Sequence, residues 1–179
     1  YKHYMLKEIY EQPEAIQQTI SQALNGNSLR DDFLNAAVSD FDRIQQIQII
    51  ACGTSYHAGM IAKYWFEQLI DLPCQVEIAS EFRYRSPVIV NHTLYVCISQ
   101  SGETADTLAA LRDTQKRALQ KNLNISTLTI CNVATSSMVR ETEHSLLTLA
   151  GPEIGVASTK AFTTQLAELM LLVLKIGQV

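Results

Sequence analysis

From Ile47 onward, short apolar runs alternate with longer stretches of helical spacing, and this alternation constrains the fold more than any other feature of the sequence. Strand, helix, strand repeats imply parallel pairing, because two parallel strands can be joined only by a crossover connection. The sequence therefore predicts an α/β domain with a five-stranded parallel sheet and helices on both faces. The five predicted strands lie in the runs IQIIACGTS, CQVEIAS, TLYVCIS, ISTLTIC and HSLLTLA.

Helices are predicted where apolar residues recur three and four positions apart. Between the first two runs, one helix would bury the face that carries Ala58, Ile61, Ala62, Trp65, Phe66 and Leu69. Further helices are predicted near residues 103–120 and 158–176, the second of which would stop at Gly177.

Residues 1–46 differ from the rest of the chain in that they read as helical and amphipathic throughout. Turn-forming residues interrupt the pattern at residues 25–28, which read Asn-Gly-Asn-Ser. We therefore divide the chain into a helical lead-in, residues 1–46, and one domain, residues 47–179.

Composition and charge exclude several classes of function. Fourteen basic and eighteen acidic residues give a net charge of −4, which provides no electrostatic footprint for nucleic acid or anionic lipid. The longest apolar-rich segment, residues 161–176, is interrupted by polar and charged residues and is too polar to span a bilayer. The first residues lack the features of a secretory signal, so a cytoplasmic protein is expected.

Cysteines and histidines give no indication of a metal site. The four cysteines lack the spacing of metal ligands, and three of them lie in predicted strands, so we expect them to be reduced, buried and unreactive. The four histidines are isolated along the chain, and no metal is predicted. The cysteines are Cys52, Cys74, Cys97 and Cys131.

The loop at residues 99–104, SQSGET, directly follows one predicted strand and precedes a predicted helix. A helix N-terminus leaves up to four N–H groups unpaired and carries about half a positive charge, so it stabilises an anion without a basic side chain. The sequence predicts a phosphate monoester site here, because Gly102 permits close backbone approach and four side chains add donors. These four residues are Ser99, Gln100, Ser101 and Thr104.

Two qualifications apply to the SQSGET loop. Ser101 is also a suitable helix cap, and capping alone is the simpler interpretation. Glu103 suits the helix dipole but would repel a bound phosphate, so its side chain is expected to point away.

Two further loops follow predicted strands and carry candidate ligand contacts. The first contains a glycine and two hydroxyls at residues 52–55, and the second, residues 151–160, offers backbone groups. Glu153 and Lys160 are interpreted as an exposed loop carboxylate and a solvated cation, since neither has an acid–base partner in the sequence. A nucleophile and base pair of Cys52 and His57 is disfavoured because the two side chains would point apart on a helix.

Five stretches together resemble the isomerase region of the glutamine:fructose-6-phosphate aminotransferase (glucosamine-6-phosphate synthase) family. SQSGET is found in many sugar isomerase (SIS) proteins, whereas KEIYEQP and EIGVASTKAFTTQ are typical of this family. The resemblance covers nearly the whole chain and implies a flavodoxin-like SIS fold, the first of two SIS halves. The stretches are HYMLKEIYEQPEAI, ACGTSYHAGM, EIASEFRYR, SQSGETADTLAALR and GPEIGVASTKAFTTQLAEL.

The resemblance implies an enzyme, without a cofactor, that makes glucosamine 6-phosphate and glutamate from fructose 6-phosphate and glutamine for amino-sugar synthesis. It also implies a homodimer. It assigns the phosphate to the SQSGET loop, through Ser99, Gln100, Ser101 and Thr104. It assigns the sugar to Cys52, Gly53, Thr54, Ser55, Val156, Ala157 and Ser158.

In the family, a separate glutaminase domain releases ammonia, and the ring-opening and enolising groups belong to the second SIS half. This chain begins at Tyr1 without the glutaminase domain, and is expected to stop before that second half. No catalytic residue is therefore assigned, and the isolated chain is expected to bind fructose 6-phosphate or glucosamine 6-phosphate without turnover.

Two alternative functions remain open. SIS domains also occur in sugar-phosphate-sensing regulators, fused to DNA-binding helical domains, although residues 1–46 contain no basic cluster for such a role. In the other alternative, this half is structural and packs against a second half and a partner subunit, with the ligand site completed elsewhere.

Overall fold

A computed structural model of the protein describes residues 1–34 and 37–179. The strands in these residues are β1 (Leu24–Asn25), β2 (Ser28–Leu29), β3 (Gln46–Ala51), β4 (Cys74–Ile78), β5 (Thr93–Ile98), β6 (Ile125–Cys131) and β7 (His144–Leu147). The last five form the central sheet, in the order β4-β3-β5-β6-β7, and all four pairings in it are parallel. The predicted five-stranded parallel sheet is confirmed.

Helices cover both faces of this sheet, as predicted. The helices in the described residues are α1 (Tyr4–Ser21), α2 (Val38–Phe41), α3 (Gly53–Ile70), α4 (Ala79–Tyr84), α5 (Ala105–Gln120), α6 (Ser137–Glu141) and α7 (Lys160–Ile176). Ile49 packs in one apolar cluster with residues of α3 and α7, whereas its neighbour Ile50 packs in another with residues of α4 and α5. Because both faces are buried, the central strands are continuous apolar runs rather than alternating ones.

The long helices match their predicted positions. α7 ends at Ile176, directly before Gly177, and α5 ends at Gln120 as expected. Two short helices, α4 and α6, were not predicted, because a helix of five or six residues is too short to show an apolar periodicity. None of the helices in residues 1–34 and 37–179 combines the length and the apolar character needed to cross a membrane.

The helical prediction for residues 1–46 holds for α1 and, over four residues, for α2. The predicted break is present as a hairpin of β1 and β2, in which Gly26 adopts a φ of +62°. Among the described residues between the hairpin and β3, the α-helix is limited to the four residues of α2, so the prediction of a second long helical stretch is wrong there. Phe33, which precedes α2, and Phe41, which lies in α2, each contact the core but do not share one helical face. Asn35 and Ala36 lie outside the described residues.

α1 packs on α7 and is attached to the end of β7 by hydrogen bonds. The Thr19 hydroxyl donates to the carbonyl oxygen of Thr148. Gln22 Nε2 donates to the carbonyl oxygen of Leu147 over 2.7 Å and to Glu168 Oε1 over 3.1 Å. The position of α1 is therefore set by partners more than 100 residues away in the sequence.

Candidate functional site

The predicted ligand loops leave the carboxyl edge of the sheet. β3 and β5 are neighbours, with Ala51 paired to Ile98, and β4 lies on the other side of β3. The strand order therefore reverses between β3 and β5, and open α/β sheets bind ligands at this point. The structure brings together the loop after β3, residues 52–55, and the loop after β5, residues 99–104.

The SQSGET loop is a turn held together by its own hydroxyls. Ser99 Oγ lies 2.7 Å from Thr104 Oγ1 and accepts a 3.1 Å hydrogen bond from the backbone N–H of Gly102. Ser99 is only 3% exposed, so its hydroxyl organises the turn from within. Gln100, Ser101 and Thr104 are partly exposed and form the outer surface of the turn.

The first turn of α5 runs from the exposed Ala105 to the buried Thr107. The helix begins at Ala105 with Thr104 as its N-cap, two residues later than the predicted start near residue 103. In the described part of the chain, no acceptor lies within hydrogen-bonding distance of the N–H groups of residues 105–107. The interpretation of Ser101 as a cap is wrong, because Ser101 Oγ accepts from the N–H of Glu103, outside the helix. Its hydroxyl proton remains available to a ligand.

Gly102 brings the turn close to the start of α6. It adopts a φ of +68°, in the left-handed region, and a Cβ atom built on it would lie 2.2 Å from Ser136 Oγ. Any other residue would therefore suffer both backbone strain and a steric clash. Only glycine satisfies both conditions, which agrees with the close backbone approach predicted for this position.

The acidic residues next to the turn are already paired. Glu103 Oε1 accepts a 2.6 Å hydrogen bond from the N–H of Ser137, and this bond lowers the pKa of the Glu103 carboxyl. Asp106, in the first turn of α5, forms a 2.9 Å ion pair with Arg83 of α4. Glu103 is thus directed to the start of α6, and Arg83 reduces the repulsion that Asp106 would exert on a bound anion.

The loop after β3 starts α3 with small and polar residues. Cys52 is the N-cap of α3, and Gly53 follows with a φ of +58°. Gly53 and Thr54 are exposed, whereas Ser55 is buried. The groups that face solvent at this loop are therefore the Thr54 side chain and the exposed backbone of Gly53.

The prediction that the cysteines are buried holds for three of the four. Cys74, Cys97 and Cys131 are buried, and burial raises the pKa of the Cys74 and Cys97 thiols to about 12. Cys52 is half-buried, at the start of the candidate site. All four thiols are free.

The loop after β7 is irregular. Its apex, residues 156 and 157, is exposed, and the residues on either side, its two stems, are held by hydrogen bonds. Val156 is fully exposed and Ala157 is exposed. Neither N–H has an acceptor among the residues that the structure describes. Ser158 Oγ donates to Glu153 Oε2 over 3.0 Å, so Ser158 belongs to the C-terminal stem.

Two interpretations of this loop are corrected by the structure. Glu153 is no exposed carboxylate: its Oε1 accepts from the N–H groups of Thr159, over 2.8 Å, and Ala161, over 3.2 Å, and so caps α7. Lys160 is no solvated cation, because it is 5% exposed and its Nζ lies 2.8 Å from Glu11 Oε2. This hydrogen bond lowers the pKa of the Glu11 carboxyl. The sequence did not reveal either partner because each pairing depends on the tertiary packing.

Glu8 of α1 was not identified from the sequence. It is 2% exposed and accepts hydrogen bonds from the N–H of Ile154, over 2.6 Å, and of Gly155, over 3.0 Å. A signal was available, since Glu8 shares a helix face with the buried residues Ala15 and Thr19. A carboxylate on a buried face needs hydrogen-bond donors.

Asn132, directly after β6, was also not identified. Its backbone N–H donates to the carbonyl oxygen of Gln100 over 3.0 Å, and its Oδ1 accepts from the N–H of Ala150 over 2.8 Å. Asn132 therefore joins the turn before α5 to the loop before α7. Within residues 1–34 and 37–179, no three His, Cys, Asp or Glu side chains lie close enough together to hold a metal ion.

Comparison with known proteins identifies relatives along the whole chain. Over all 179 residues the chain is 87% identical to glutamine–fructose-6-phosphate aminotransferase (isomerizing) from Acinetobacter baylyi, and it is 58% identical to the enzyme of that name from Pseudomonas putida. In both cases it spans 29% of the relative's length.

Solved structures show the same fold. The C-terminal domain of glucosamine-fructose-6-phosphate aminotransferase from Francisella tularensis matches with a TM-score of 0.90 and 54% identity, over 99% of this chain and 48% of that one. Glucosamine-6-phosphate deaminase from Thermotoga maritima shares the fold, with a TM-score of 0.73 and 24% identity, over 98% of this chain and 49% of that one.

The sequence profile of the SIS domain matches residues 41–175, from α2 almost to the end of α7. These residues include the whole parallel sheet, the SQSGET turn and the loops at residues 52–55 and 151–160, but not α1. The chain belongs to the SIS domain family.

Proposed function

We propose that the chain is the sugar-phosphate-binding isomerase segment of a glutamine–fructose-6-phosphate aminotransferase, which makes glucosamine 6-phosphate for amino-sugar synthesis. Its ligand is fructose 6-phosphate or glucosamine 6-phosphate. The observation that carries this proposal is the first turn of α5, whose N–H groups at residues 105–107 have no acceptor in the described part of the chain and directly follow the turn that carries Ser101. The relatives named for this activity support it, since the chain is up to 87% identical to them.

The phosphoryl group binds at the turn of residues 99–104. Backbone N–H groups of α5, the hydroxyls of Ser101 and Thr104, and the Gln100 amide supply the donors. Ser99 acts from inside, because its hydroxyl holds Thr104 and the N–H of Gly102 in place. The helix dipole adds a favourable interaction with the dianion, so no basic side chain is required.

The sugar lies between the other two loops of the site. Cys52, Gly53, Thr54 and Ser55 contact it from the loop after β3, the neighbour of the phosphate turn. Val156, Ala157 and Ser158 contact it from the loop after β7. The unpaired N–H groups at residues 156 and 157 are suited to sugar oxygens, which accept hydrogen bonds.

The isolated chain binds its ligand without turnover. Isomerisation moves a proton between adjacent carbons and needs a base within hydrogen-bond reach of that proton. The carboxylates beside the site, Glu103 and Glu153, are each engaged by backbone N–H groups. The catalytic groups and the glutaminase activity belong to other parts of the complete enzyme, about 71% of the length of the named relatives.

Two further parts of the proposal concern assembly and location. We expect a homodimer, to which α1 contributes its exposed apolar side chains, such as Tyr4 and Tyr10. Light scattering that shows only a monomer would contradict this. We also expect a cytoplasmic protein, and the four free cysteines suit a reducing compartment.

Calorimetry with fructose 6-phosphate and glucosamine 6-phosphate tests the ligand assignment. The double variant Ser101→Ala plus Thr104→Ala removes two hydrogen bonds to a charged group and should weaken binding about a hundredfold or more. Ser28→Ala plus Ser145→Ala is the matched control, because these exposed serines lie outside the site and should leave affinity unchanged. Equal affinity of the two double variants would refute the phosphate site.

A further inference from the structure

The loop after β7 rests on a carboxylate from a helix outside the SIS profile. Glu8 Oε1 lies 2.6 Å from the N–H of Ile154, and Glu8 Oε2 lies 3.0 Å from the N–H of Gly155. A nearly buried carboxylate is stable only when donors satisfy it, and these two N–H groups do so. The bond pair fixes the backbone directly before the apex of the loop.

Gly155 is required for this close approach. A Cβ atom at this position would lie 2.5 Å from Glu8 Oε2 and 3.4 Å from Met5 Cα. The loop backbone therefore lies directly against α1, at a distance that a side chain at residue 155 would prevent. The sequence of the loop and the position of Glu8 are matched to each other.

The second stem of the loop is also anchored, while the apex is not. Glu153 caps α7 through Thr159 and Ala161, and Lys160 is paired with Glu11 of α1. Val156 and Ala157, between the two anchored stems, have no acceptor for their N–H groups among the residues described. This arrangement holds a short backbone segment in place and leaves its donors available.

We propose that Glu8 is a positioning residue for the sugar: it holds Ile154 and Gly155 so that the N–H groups of Val156 and Ala157 face the sugar part of a bound sugar phosphate. The inference rests on the proposed function and adds α1 to the ligand site. Because the phosphoryl group binds at α5, which Glu8 does not contact, Glu8 affects the affinity for a sugar phosphate and not that for inorganic phosphate. A loop already held in its bound conformation loses less entropy on binding.

NMR titration of the 179-residue chain with fructose 6-phosphate and with inorganic phosphate tests the proposal. Glu8→Ala should lower the affinity for fructose 6-phosphate about tenfold or more and leave the affinity for inorganic phosphate unchanged. Glu8→Gln retains one acceptor oxygen and should recover part of the loss. Glu14→Ala is the matched control, since it removes an exposed carboxylate from the same helix and should change neither affinity.

Gly155→Ala provides an independent test if Glu8→Ala does not fold. It leaves Glu8 intact but prevents the backbone from approaching it, and the same selective loss is expected. An equal loss of affinity for both ligands, or an unchanged affinity for fructose 6-phosphate, would overturn the role of Glu8 while the proposed function stands. A wild-type chain that binds neither ligand would overturn the proposed function, and this inference with it.

Discussion

Asn132 Nδ2 donates a 2.7 Å hydrogen bond to the carbonyl oxygen of Gly151, 19 residues later in the chain. The same side chain accepts from the N–H of Ala150, and the backbone N–H of Asn132 donates to Gln100. Asn132 follows β6, the strand between β5 and β7, and so lies between the loops that leave its two neighbours. Asn132 therefore joins the loop after β7 to the turn of residues 99–104.

Asn132→Ala should therefore affect both stability and ligand binding. It leaves the N–H of Ala150 and the carbonyl of Gly151 without their partners, which should lower the free energy of unfolding by about 1–3 kcal/mol. Fructose 6-phosphate should also bind more weakly, because the two loops are no longer joined through the side chain. Urea unfolding and NMR titration measure the two effects.

Asn91→Ala is the control for this variant. Asn91 Oδ1 accepts a 2.7 Å hydrogen bond from the N–H of Asn124, next to the amino ends of β5 and β6 and so at the opposite edge of the sheet. Its loss should destabilise the fold without changing ligand affinity. If Asn91→Ala lowered the affinity for fructose 6-phosphate as much as Asn132→Ala does, a specific role for the link that Asn132 makes between the two loops would be ruled out.

Gly102→Ala and Gly26→Ala separate backbone strain from steric conflict. Both glycines adopt a positive φ, +68° and +62°, but a Cβ atom at Gly26 meets nothing within 4 Å. Gly26→Ala should cost only the strain of a left-handed conformation, about 1–2 kcal/mol. Gly102→Ala should cost more and abolish phosphate binding, because Ser136 must move and the turn with it. Equal losses of unfolding free energy would contradict the close contact with Ser136.

Glu168, on α7, should make stability fall as the pH rises. Burial raises the pKa of its carboxyl from 4.5 to about 8. The folded chain therefore holds a proton that the unfolded chain releases between these values. The stabilisation is complete below pH 4.5, declines by up to about 1.4 kcal/mol per pH unit across the window, and is lost above about pH 8.

Glu168→Gln should remove this slope, since glutamine keeps the acceptor for Gln22 and does not titrate. Urea unfolding of both proteins at several pH values from 5 to 9 measures the difference, with Glu14→Gln as an exposed control. Parallel stability curves for the wild type and Glu168→Gln would show that Glu168 is ionised in the folded chain.

Local signals in the sequence were sufficient to predict the sheet and the strand, turn and helix around residues 99–104. The strands are apolar along their length because both faces are covered, and a run such as residues 93–98 is recognisable without knowledge of its neighbours. The same holds for the turn of residues 99–104, where a strand, a glycine with hydroxyl residues and a helix follow one another directly. Such signals depend only on residues close together in the chain.

The α/β class and the long helices could thus be predicted from local patterns, as could the strand, turn and helix at residues 99–104. That Glu8 and Asn132 hold the loop after β7, and that Lys160 is buried against Glu11, became apparent only from the folded chain. The reason is that a hydrogen bond or ion pair depends on which groups packing brings together. Glu8 and Gly155 are separated by 147 residues, and no periodicity in the sequence encodes such a pairing.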